Sequence, residues 1–253
     1  MDRSDAHLFE YALRLGDNAL ILGQRLGAWC GHAPVLEEDI AMANMALDLI
    51  GQARLWLSLA GDIEGKSRSE DDLAFLRDER EFKNVLLVER PNGDFGTTIM
   101  RQFLFDAFSH FLLEALKNSN DRRFAEIAEK AAKEVHYHLE RSSDLVVRLG
   151  DGTQESHEYM QNALDDLWRF TGELFIGDTI DEALCAAGIV PPLETIQGQY
   201  DEYVNRVFAL AKITPPTEVH MQKGGKAGLH TEAMGPLLAE MQFLQRAYPG
   251  ARW

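Results

Sequence analysis

The sequence predicts an all-α protein: a bundle of long antiparallel helices followed by further C-terminal helices. Three observations predict it. Apolar residues recur at alternating spacings of three and four over stretches of about twenty residues. The links between those stretches are short and rich in Gly, Pro and Asn. No run shows the sustained two-residue alternation of a half-buried strand.

The first helix is expected from about Asp5 to Trp29, where Leu8, Ala12, Leu15, Ala19, Leu22, Leu26 and Trp29 keep helical phase. Leu13, Leu20 and Ile21 add a second apolar stripe, which makes it an interior helix. Gly31 and Pro34 end it and open a second, Leu36 to Ala60, with Met42, Met45, Leu49, Gln52 and Trp56 near one face. A short loop between two long helices makes an antiparallel hairpin. Lys66 to Asp72 reads as a charged linker, Leu73 to Val88 as a shorter helix and Arg90 to Asp94 as a turn. A third long helix is expected from Thr97 to Lys117, with Phe103, Asp106, His110 and Leu113 in phase. A fourth follows from Arg122 to Leu149 and a fifth from Glu155 to Phe175. Residues 1–176 thus form the expected bundle core. Beyond Gly177 the pattern shortens to Thr179–Ala187, Leu193–Lys212 and Thr231–Tyr248, with prolines between. Residues 177–253 are expected to pack on the bundle within the same domain.

At 253 residues the chain can bury a sizeable core, and 45% hydrophobic with 26% charged residues is a globular composition. The formal net charge of −16 argues against nucleic acid and against an anionic membrane surface. It suits a basic partner protein. Cys30 and Cys185 make no disulfide framework and are expected as buried thiols in a reducing compartment. The opening residues carry no apolar run after their charges, so no export signal is expected, and no stretch is apolar enough to span a membrane. The expected location is the cytoplasm.

Long inner helices raise the question of metal. Di-iron carboxylate bundles take a Glu from each of two helices and a Glu-x-x-His pair from each of the other two, because residues three apart share a helix face. Eight histidines are present, and the residues three before them are Ser4, Trp29, Ala107, Lys133, Val135, Gln154, Thr217 and Ala227. None is acidic, so the motif is absent. The nearest approach is Glu134 with His138, four apart, for which an ordinary surface or hydrogen-bonded pair is the simpler reading. Lys223-Gly224-Gly225-Lys226 lacks the flanking strand and Ser/Thr of a phosphate loop, and there is no Gly-x-Ser-x-Gly elbow.

Several stretches together carry a resemblance. They are Arg14-Leu15-Gly16-Asp17-Asn18, Gln24 through Pro34, Leu47 through Arg54, Arg77-Asp78-Glu79-Arg80 and Pro91-Asn92-Gly93. Leu167 through Thr171, Gly224 through Glu232 and Leu238 through Gln242 join them. Spread over nearly the whole chain, they resemble the non-catalytic, ferritin-like subunit family of bacterial phenylacetyl-CoA epoxidases. The resemblance implies a ferritin-like bundle and a place in phenylacetate catabolism, in a multicomponent monooxygenase that epoxidises the ring of phenylacetyl-CoA with O2 and NADPH. It implies as partners a related catalytic subunit that holds di-iron and binds the acyl-CoA, a small bridging subunit, and indirectly a reductase with flavin and an iron–sulfur cluster. No cofactor and no catalytic residue is implied in this chain.

Laying the catalytic subunit's ligand pattern on this sequence from the shared Trp29 and Pro34 puts it on Ala19, Leu49, Gln52, Asp106, Val135 and His138. Only Asp106 and His138 keep ligand-type side chains. The resemblance therefore implies no metal here, with Asp106 and His138 facing each other in a dry centre and His138 or Gln52 donating to the carboxylate. Lys223, Gly224, Gly225, Lys226 and His230 form a basic, glycine-containing segment. It reads as a partner contact, as a reach to a CoA phosphate on the partner, or as an exposed loop leading into a helix capped near Thr231. For a subunit interface, Trp29, Trp56 and the Met-rich second helix are candidates, with ordinary core as the alternative. A free-standing di-iron oxidase or iron-binding bundle, and a helical adaptor unrelated to oxygenases, are the rival readings.

Overall fold

Helix periodicity carries over into the fold with few shifts. The computed structural model describes residues 2–251, and among the described residues every regular element is helical. In chain order these are α1 (Arg3–Gly27), α2 (Leu36–Glu64), α3 (Glu70–Phe75), α4 (Leu86–Glu89), α5 (Phe95–Leu116) and α6 (Arg122–Gly150). They continue with α7 (Gln154–Leu167), α8 (Thr179–Ala186), α9 (Leu193–Ala211), α10 (Met234–Met241) and α11 (Phe243–Ala247). The protein is an all-α bundle of long helices, as a ferritin-like fold requires. No helix among the described residues is long and apolar enough to cross a membrane.

Two compact units are present: Met1–Pro91 with Gly224–Trp253, and Asn92–Lys223. This division follows packing, whereas the change at 176/177 read from the sequence follows pattern length.

In the first unit α1 and α2 form a hairpin. They approach closely at Gly16, where an added Cβ would sit 2.7 Å from Leu57 Cδ2. Met42, Met45 and Trp56 are buried, so the Met-rich face of α2 is core and not interface. The stretch Leu73–Val88 is not the single helix expected. It is the end of α3, a 3₁₀ turn at Glu79–Glu81, and α4. Two capping boxes, Ser69 with Asp72 and Asp78 with Glu81, each open a new helical segment there. The last expected helix is also divided. α10 begins at Met234 with no side-chain cap, so Thr231 does not cap it. The break before α11 falls at Gln242, whose amide donates to the carbonyls of Ala74 and Arg77 at 3.1 and 3.0 Å. Cys30 is exposed and Cys185 half-buried, so neither is the buried thiol expected.

In the second unit α5 packs along α6 and against α7 and α9. Asp94 caps α5 by accepting from the Thr97 N–H at 2.7 Å. The fifth expected helix ends early, at Leu167, and gives way to 3₁₀ turns at Trp168–Phe170 and Gly172–Phe175. Thr171 Oγ1 donates back to the Trp168 carbonyl there, a local bond that competes with helix propagation. Edge-on aromatic pairs, Phe103 with Phe208 and Trp168 with Phe208, hold the unit's core.

Candidate functional site

The positions where di-iron ligands would fall lie on inner helix faces. Ala19 on α1 with Leu49 and Gln52 on α2 are buried in the first unit. Asp106 on α5 with Val135 and His138 on α6 are buried in the second. Helical phase explains this: each sits on the apolar stripe of its own helix.

Asp106 and His138 are 1% and 0% exposed, on adjacent helices, and His138 attracts the Asp106 carboxylate electrostatically. Two donors that the sequence reading missed also bind that carboxylate. Gln102 Nε2 donates to Oδ1 at 2.6 Å, and Ser142 Oγ donates to Oδ2 at 2.9 Å. Their signal was spacing: Gln102 is one turn before Asp106, and Ser142 one turn after His138. Burial nevertheless dominates and pushes the Asp106 carboxyl up to about 7, against the pull of His138, Ser142 and Gln102. Near neutral pH, then, even this remaining carboxylate is only partly charged. Glu134, the other partner considered for His138, is half-buried one turn earlier on α6.

These residues do not fit a di-iron centre. Three of the six positions are aliphatic and one is an amide, which leaves one carboxylate and one imidazole for two hard cations. Among the described residues no three His, Cys, Asp or Glu side chains gather so as to hold a metal ion.

The Lys223–His230 segment is built differently from expectation. Gly225 is buried, and a Cβ there would collide with the Asn84 carbonyl. Gly228 has φ +78° and abuts the Arg80 carbonyl. The glycines thus serve close approach to the chain's own backbone. His230 is not a free surface group. Its ring and the Glu89 carboxylate are fully buried, with Nδ1 2.7 Å from Glu89 Oε2 and Nε2 3.0 Å from the Phe82 carbonyl. Both ring nitrogens face groups that only accept, so the ring is an imidazolium. Burial pulls its pKa down, and the Glu89 hydrogen bond and charge outweigh that and raise it. Glu89 also accepts from the Thr231 N–H at 2.6 Å and from Asn84 Nδ2 at 2.9 Å. Lys223 is exposed and Lys226 half-buried.

Residues 1–253 match the model of a family described as phenylacetic acid catabolic protein. The chain belongs to that family. Among phenylacetic acid catabolic proteins it is similar to a 1,2-phenylacetyl-CoA epoxidase subunit of Escherichia coli (strain K12), with 51% identity over 246 residues. The match covers 97% of this chain and 99% of that relative.

In this phenylacetic acid catabolic protein, stretches that carry the resemblance meet in space. Arg77 donates from both terminal nitrogens to the two Asp17 carboxylate oxygens, and the Lys83 N–H donates to Asp17 Oδ2 at 2.8 Å. Asn18 Oδ1 accepts from the Val85 N–H at 2.8 Å. Arg25 donates to the carbonyls of Glu89 and Ala233. In the second unit, Asn92 Oδ1 accepts from buried Arg101 at 2.8 Å. Asp17, Asn18, Arg77 and Asn92 therefore fasten loops to helices, a use that no sequence motif announced.

Proposed function

We propose that this chain is a non-catalytic subunit of a phenylacetyl-CoA epoxidase, and that it pairs with and stabilises a related ferritin-like subunit holding the di-iron centre. The resemblance to the E. coli protein supports the complex. The non-catalytic reading rests on one observation: the inner faces carry Ala19, Leu49, Gln52 and Val135 where metal ligands would stand. The oxygen chemistry then belongs to the partner, and the small bridging subunit and the flavin and iron–sulfur reductase complete the assembly.

The pairing face we assign is the outer side of α2. Leu36, Ile40, Ala43, Leu47 and Ile50 follow one another at steps of four and three, and all but the half-buried Ala43 are exposed, Leu36 and Leu47 to 70% and 69%. A seven-residue apolar repeat on a helix is the pattern that seats a second helix. Isolated exposed leucines are ordinary, but a stripe in register marks an interaction site.

Replacing Ile40 and Leu47 together by Glu tests this. The chain alone should melt unchanged, because both side chains already face solvent. Co-purification of the ferritin-like catalytic subunit should be lost. A variant that still pairs as wild type would overturn the assignment of this face.

A further inference from the structure

We infer that the grooves on either side of α11 form a second docking face, and that it takes a cationic amphipathic segment of another subunit of the complex. The inference rests on the proposed membership of an epoxidase assembly. It concerns a face that the α2 pairing leaves unused.

Two open grooves, of about 500 and 550 Å3, flank α11 and share Arg246. Phe243 lines one; Leu76 and Tyr248 line the other. All three are more than half exposed. Acidic side chains line both: Asp78 and Glu79 the first groove, Asp71 and Asp72 the second, with Asp78 paired to Arg246 and Asp72 engaged in the cap of α3. Among the described residues Arg246 is the only cation in either lining, and it is already engaged. It donates to Asp78 Oδ1 at 3.0 Å, to the Arg77 carbonyl at 2.8 Å and to the Phe75 carbonyl at 3.3 Å. Those bonds fix α11 on the α3 end.

An apolar floor within an acidic lining selects its occupant by charge. Apolar side chains flanked by Lys or Arg fill the grooves and meet the carboxylates. A second copy of this chain, at −16, would bring like charge to like. Anionic lipid and nucleic acid carry the wrong sign.

The test is co-expression of the chain with the other subunits of its epoxidase, read by size-exclusion chromatography with each band identified by mass. Two variants are compared with wild type: Phe243→Asp with Tyr248→Asp, and the surface charge reversal Asp71→Lys with Glu79→Lys. The charge reversal leaves the apolar floor intact and guards against a folding defect in the first variant. Both should keep the ferritin-like partner and bind a third component at least about ten-fold more weakly, and wild type should lose that component in about 0.5 M NaCl. Unchanged retention of every subunit would overturn the inference, and so would joint loss of the ferritin-like partner. Absence of a ferritin-like partner from the wild-type preparation would instead strike the pairing proposed above, while the third component is scored on its own band.

Discussion

The Arg77 guanidinium closes on both carboxylate oxygens of Asp17, sixty residues earlier in the chain, with the two side chains 2% and 0% exposed. The same guanidinium stacks 4.3 Å over the Phe82 ring and donates to the Glu81 carbonyl at 3.0 Å. One side chain thus ties α1 to the segment between α3 and α4. Arg77→Met removes those donors and leaves Asp17 a buried charge held by the Lys83 N–H. Breaking such a pair costs on the order of 3–5 kcal/mol. Urea denaturation should show that loss, and Asp17→Leu added to Arg77→Met should recover part of it. Additive losses would contradict the pairing.

The Glu89–His230 pair predicts a pH dependence. The His230 pKa is raised above its ordinary 6.5. A raised value contributes stability that is complete below the unfolded-state pKa and is lost as pH rises through the folded one. Melting temperatures of wild type and His230→Gln should therefore differ most below about pH 6.5 and converge at higher pH. A gap that widens with pH would contradict the imidazolium.

Asp106 predicts a second slope. Its carboxyl titrates near 7 in the fold against an ordinary 3.8. The native state holds a proton that the unfolded chain has already released, so wild type loses stability as pH rises from about 4 to about 7. Asp106→Asn cannot ionise. Its melting temperature relative to wild type should climb between pH 5 and pH 8, by several degrees for a chain of this size, on the order of 2–4 °C per kcal/mol. A flat difference would show that Asp106 is not shifted.

Gly16→Ala tests the α1–α2 approach. The added methyl meets Leu57 Cδ2 and Cγ at 2.7 and 2.9 Å, and the Leu57 backbone nitrogen lies at 3.4 Å, so Leu57 must change rotamer or the helices must part. Overpacking of that kind costs about 1–3 kcal/mol. Ala is otherwise the better helix former, so any stabilisation by this change would mean the helices are not in close contact there.

The long helices were legible because α1, α2, α5 and α6 each carry a stripe in helical phase, and their ends moved by no more than a few residues. The breaks were legible only in part. Ser69 with Asp72 and Asp78 with Glu81 are capping-box spacings that divide the region after α2. Gln242, by contrast, divides the final helix because its amide reaches carbonyls more than 160 residues away, which no local pattern contains. α2 carries apolar residues on opposite sides. Periodicity picks out the Met42, Met45 and Trp56 face without saying which way it turns, so that face was a candidate interface; the second stripe, Leu36, Ile40 and Leu47, stands out only through its exposure. At the Asp106 centre, His138 was found by laying a ligand pattern on the sequence; Gln102 was within reach of the four-residue spacing on α5 alone, whereas Ser142 required the register of α6 against α5. The glycines near Lys226 signalled a close approach; that their neighbour is the chain's own backbone at Arg80 and Asn84 is a tertiary fact.

We propose that this chain's own helices hold no iron pair. This is tested most directly by loading the purified chain with Fe(II), desalting it, and measuring bound iron together with oxidation of phenylacetyl-CoA. Iron should stay far below a stoichiometric pair, with no epoxide until the ferritin-like partner is added. A full iron pair retained by the chain alone, with epoxide formed, would contradict it.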